Sequence, residues 1–205
     1  MTPREDRLIR VSARMAAGDQ RDLAAELRGA LRAGVPATDL RELALQNYLF
    51  LGFPRAIHAL ALLPPAPPRP RPRARHDAWR RRGERLCRRI YGHSYDKMME
   101  QMRRLSPDLA EWILWEGYGK VLSRPRLSAR LRELCVLPVL ALTNALPQLR
   151  AHLRGALNVG ATPAEVRRAL TYARRRSDPA GRAAIGAALK DALRPNSRIR
   201  KREPQ

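Results

Sequence analysis

Only two cysteines occur among the 205 residues, Cys87 and Cys135, and they lie 48 positions apart. That separation fits no metal-binding or dithiol spacing, so neither a metal nor a disulfide framework is expected. Aromatic residues are scarce too, at 5 %. Long apolar runs are missing: none approaches the ~18 residues that cross a bilayer, and no membrane association is expected. A signal-peptide pattern is also lacking, because Arg4, Glu5, Asp6, Arg7 and Arg10 precede any apolar run. The expected setting is therefore cytoplasmic. Lysine is rare: Lys97, Lys120, Lys190 and Lys201 are the only four among 41 basic residues. A base bias in the coding sequence produces the same skew, so abundant arginine does not by itself point to recognition.

What is present is an apolar fraction of 44 %, enough for a core, and a formal net charge of +22. A charge of that size raises nucleic acid or another polyanion as a partner. Its placement argues against one. Residues 64–93 hold 10 basic and 2 acidic side chains, and residues 171–205 hold 10 and 3. Most of the net charge thus falls in a connecting stretch and a tail, where Arg80-Arg81-Arg82 and Arg174-Arg175-Arg176 read as solvated faces. A polyanion binder working through these stretches stays open as one alternative, and its binding would fall steeply with salt.

The pattern along the chain is helical throughout, and the fold class is all-α. Leu8, Val11 and Met15, then Leu23, Leu27, Ala30 and Leu31, recur at helical spacing, with Gly18 and Gly34 as breaks. A third helix starts near Thr38 and meets Gly52-Phe53-Pro54. The prolines of residues 64–75 predict an extended, semi-rigid linker. Beyond it lies a basic helix carrying Trp79, Leu86 and Ile90. Met98, Met99 and Met102 follow at helical spacing and read as core filling. Ser106-Pro107-Asp108 starts another helix. Ser128 caps a further one that is apolar all round in its second half, with Pro138 predicting a kink. Thr162-Pro163-Ala164-Glu165 is a capping box. The domain reading is residues 1–63 as an N-terminal half-repeat, 64–78 as a Pro/Arg linker, 79–193 as the main domain and 194–205 as a basic tail.

A shift of 126 lays residues 23–31 over residues 149–157. The Leu-Arg-Gly-Ala-Leu core is identical, and a glycine follows each copy at the same distance. This predicts duplicated helical units. The polar positions differ: His152 stands opposite Glu26, and Glu133 opposite Arg7. The first copy therefore reads as structural, and any site belongs to the second.

Arg124-Pro-x-Leu-Ser128, Arg132-Glu133-Leu134, and the run from His152 through Gly160 to Val166 resemble the carboxymuconolactone decarboxylase family. That family includes the alkyl hydroperoxidase D-like proteins. The resemblance implies a small helical bundle that forms homo-oligomers, commonly trimers or hexamers. The family's peroxidase branch carries Glu, Cys-x-x-Cys and His at the spacing E-x11-C-x-x-C-x3-H. Glu133 and His152 keep that spacing, but Ala145 and Gln148 stand where the thiols would be. Peroxiredoxin-like activity needs a thiolate to attack the peroxide, so it is not the expected activity. The decarboxylase branch lacks the cysteine pair and fits better. On that reading His152 supplies a proton to a small lactone or carboxylate substrate and Glu133 orients it. Arg150 or Arg154 would hold the substrate carboxylate, and no cofactor is expected. A non-catalytic oligomeric scaffold is the other alternative.

Overall fold

The computed structural model of the protein describes residues 1–65 and 76–194. Residues 66–75 of the Pro/Arg linker and 195–205 of the basic tail lie outside the described residues. Among the described residues the structure is helical and contains no strand.

The helix starts are built by short polar side chains that answer the free amides of the first turn. Thr2 and Glu5 form a reciprocal capping box at α1 (Pro3–Ala17), and Asp19 caps α2 (Gln20–Arg32). α3 (Ala37–Ala61) breaks at Gly52, whose φ of 76° and ψ of 170° suit only glycine. α4 (His76–Tyr91) takes in the last three residues of the expected linker. A short 3₁₀ turn at Gly92–Ser94 leads into α5 (Tyr95–Leu105). Ser106 then caps α6 (Pro107–Trp112), which passes directly into a π-helical segment, Ile113–Leu122. α7 (Ala129–Leu142), α8 (Leu146–Asn158), α9 (Pro163–Ala169), α10 (Thr171–Arg176) and α11 (Pro179–Ala192) complete the order.

α7 is the buried centre, as its all-round apolar second half predicts. It runs through Pro138 as one helix, and the Ser12 hydroxyl of α1 donates to the Cys135 carbonyl at 2.7 Å. The N-terminal helices pack on α7 within the same chain. One core joins Leu8, Leu27 and Leu43 to Leu134, Leu153 and Ala169. A second, smaller core joins α4, α5, α6 and the π segment through Cys87, Ile90, Met99 and Tyr118. In it Gly83 of α4 and Gly119 of the π segment let the two backbones touch; a Cβ at either would run into main-chain atoms.

The helices α2 and α8 begin and end 126 positions apart. Gly34 at φ 80° and Gly160 at φ 95° follow them in the left-handed conformation. Ahead of these helices, also 126 positions apart, stand Gly18 at φ 80° and Asn144 at φ 56°, and Asn is among the non-glycine residues that best tolerate that region.

Candidate functional site

Glu133 sits in α7 with 1 % of its surface exposed, and His152 sits in α8 with 7 % exposed. Their side chains meet: His152 Nδ1 lies 2.8 Å from Glu133 Oε2. A buried carboxylate without a partner is costly, and the imidazole answers it. An ionised carboxylate can only accept a hydrogen bond, so a contact of that kind places the proton on Nδ1 and leaves Nε2 as the ring's second nitrogen. Nε2 makes no hydrogen bond among the described residues, and the ring forms part of a cleft wall. Phe50 of α3 packs edge-on against the ring at 5.8 Å.

The carboxylate can reach the imidazole because residue 155, one turn after His152, is glycine. A Cβ there would sit 3.0 Å from Glu133 Oε2 and 2.6 Å from Ile90 Cγ2. At Gly29, its counterpart in the first unit, a Cβ would meet nothing within 4 Å. Sequence reasoning passed over Gly155, although a glycine inside a helix three residues after a candidate histidine was the available signal.

The cleft holds about 540 Å³. Leu49 and Phe50 of α3, Met98 and Met102 of α5, and Trp112 and Ile113 give it an apolar lining. Met99 is buried in the smaller core, while Met98 and Met102, on another face of α5, are half-buried against that core and also line the cleft.

Two tyrosines were also missed as site residues. Tyr118 donates its hydroxyl hydrogen to the Tyr91 oxygen at 3.4 Å, and both line the cleft. Burial pushes the Tyr91 phenol up to about 12, and burial first, then neighbouring charge including that of Glu133, drives Tyr118 well above its ordinary value. Both are therefore held as neutral O–H groups. Glu116 supplies the cleft's one carboxylate among its lining side chains, accepting from the Tyr48 hydroxyl at 2.7 Å.

Ala145 is the N-cap of α8, and Gln148 lines the cleft one turn before His152. The positions that carry thiols in the redox branch therefore flank this site, with no sulfur in them. Cys135 is fully buried in the main core, and burial raises its thiol to about 12. Cys87 is also fully buried, raised by burial and then by the charge of Glu133. Arg150 and Arg154 do not line the His152 cleft. Both are exposed on α8 and line a neighbouring cleft, where Arg154 also pairs with Asp191 at 3.6 Å.

Among the described residues no helix is long and apolar enough to cross a membrane. The sequence pattern of the carboxymuconolactone decarboxylase family matches residues 1–64 and 107–190. That match takes in Glu133, His152, Tyr118 and Gly155 and passes over α4 and α5, which supply Tyr91, Met98 and Met102. The chain is 34 % identical over 138 residues to "Peroxisomal protein 2" of Schizosaccharomyces pombe, covering 62 % of this chain and 63 % of that protein. It thus spans less than two thirds of the relative's length. With the family's pattern matched on both sides of α4 and α5, the chain belongs to the carboxymuconolactone decarboxylase family.

Proposed function

We propose that the protein catalyses acid–base chemistry, of the decarboxylase kind, on a small lactone or carboxylate bound in the His152 cleft. The observation that carries this is the buried 2.8 Å contact between His152 Nδ1 and Glu133, with the ring in the wall of an apolar cleft. Loss of carbon dioxide breaks a carbon–carbon bond and leaves its electron pair as an enolate. Protonated His152 then gives its Nε2 proton to the carbanionic carbon, while Glu133 holds the ring and balances its charge. The neutral hydroxyl of Tyr91, which accepts from Tyr118, supplies a hydrogen-bond donor of the kind that steadies a developing oxyanion.

What favours this over a thiol peroxidase is the chemistry of the sulfurs: positions 145 and 148 carry none, and burial keeps Cys135 protonated. The test is the initial rate on a carboxylated lactone for wild type, His152→Ala and Glu133→Gln. A positioned acid–base group contributes about 10²–10⁴-fold, so both variants should lose at least ~10²-fold. Wild-type turnover by His152→Ala would sink the proposal. Thiol-dependent peroxide reduction abolished by Cys135→Ser would replace it with the redox reading. Assembly into a homo-oligomer belongs to the same proposal, and Phe53 and Ile57 of α3 and Trp112 of α6 are among the exposed apolar groups available to an interface.

A further inference from the structure

Beside the His152 cleft lies a second one of about 490 Å³, and the charges divide sharply between the two. Among the described residues the second is lined by Lys97, Arg150, Arg154 and Arg194, with His93, and by no aspartate or glutamate. Among the same residues the His152 cleft is lined by no lysine or arginine, and Glu116 is its acid. Among the described residues Arg154 pairs with Asp191, whereas Lys97, Arg150 and Arg194 make no ion pair. Tyr91, Met98, Gln101 and Ala151 belong to both linings, so these four side chains form the wall between the clefts.

We infer that the ligand is an amphipathic anion, with an apolar body in the His152 cleft and a carboxylate or phosphate held by Lys97 and Arg150 in the second cleft. The inference rests on the proposed function only for where reaction occurs. An anionic end group finds no free cation beside Glu116, which pairs with Lys120 at 3.4 Å, and is favoured beside cations that lack ion-pair partners among the described residues. The apolar body gains by leaving water for Met98, Met102, Trp112 and Ile113. Three of the four wall residues, and Lys97, lie on α4 and α5, outside the segments that match the family. The same helices would thus give this chain a ligand preference of its own.

Equilibrium titration of the full chain with unreactive probes tests this without turnover. The probes are decanoate, decyl phosphate, decanol, acetate and inorganic phosphate. Decanoate or decyl phosphate should bind at least ~10-fold tighter than decanol and than acetate or phosphate, and the tighter of the two identifies the end group. That 10-fold corresponds to about 1.4 kcal/mol. Lys97→Gln with Arg150→Gln changes only exposed side chains. It should weaken decanoate and decyl phosphate about 10-fold and leave decanol unchanged. Equal binding of decanol and decanoate would overturn the inference, as would unchanged decanoate binding by the double variant or phosphate binding as tight as decyl phosphate. Any of these, with His152→Ala still inactive, would remove this inference while the acid–base reading stood.

Discussion

Gly155 controls the site at the scale of one atom. Adding a methyl group there forces either Glu133 or Ile90 to move, so Gly155→Ala should destabilise by about 1–3 kcal/mol through overpacking. The same change at Gly29, where nothing lies within 4 Å, should stabilise by up to ~1 kcal/mol through helix propensity. Urea unfolding of the two variants checks both signs. The spacing of Glu133 and His152 was legible in the sequence because family likeness and helical register both preserve it. The Tyr91–Tyr118 pair was not, and Gly155 only as an unexplained mid-helix glycine, since their roles depend on how α4 packs against α8 and the π segment. The cysteines give a pH prediction. Burial raises Cys135 from the ordinary value near 9 to about 12. The unfolded chain therefore releases this proton first, and stability contributed by the neutral thiol is present below pH ~9 and lost as pH rises towards 12. Melting temperatures across that window should fall, and less steeply for Cys135→Ala relative to its own neutral-pH value.

At the scale of elements, α3 and α7 are locked by a buried polar knot. Arg132 donates to Glu42 at 2.7 Å and to the Gln46 side chain at 3.1 Å, and Arg124 donates to both oxygens of Glu42. Gln46 in turn donates to the Arg132 carbonyl at 3.1 Å. Burial lowers the Arg132 guanidinium from its usual value, and the bond and charge of Glu42 hold it up. Removing that partner leaves a cation in the core, so Glu42→Ala should cost about 3–5 kcal/mol, read by denaturant unfolding at neutral pH. The starts of α6, α7 and α9 were legible because Ser106, Ser128 and Thr162 carry their capping chemistry locally, whereas α3 starts at Ala37 after Pro36 with no side-chain cap, so Thr38 near its expected start does not cap it. The π-helical stretch was not. Leu109, Trp112, Ile113, Trp115 and Tyr118 fit an α-helical stripe, and the wider turn accompanies tertiary contact of Gly119 with the α4 backbone.

For the whole molecule, the all-α class followed from helical periodicity and the absence of strand pattern. The assembly of one core from α1–α3 and α7–α11 was not legible, because the repeat fixes what the units are and says nothing of which copy each one packs against. Sedimentation or light scattering should show a multimer. Phe53→Asp with Ile57→Asp should shift it towards monomer if those exposed groups, at 67 % and 61 %, are covered in the assembly. The central claim is that Glu133 fixes the His152 proton on Nδ1 and leaves Nε2 to the ligand. Nitrogen NMR of histidine-labelled protein tests it without knowledge of the substrate, the His152 signals being assigned by their loss in His152→Ala. The account predicts that Nδ1 keeps its proton in the neutral ring and that Nε2 is the nitrogen that gains and gives up one, with that preference lost in Glu133→Gln. A neutral ring protonated on Nε2 and bare on Nδ1, or a tautomer indifferent to Glu133→Gln, would contradict it.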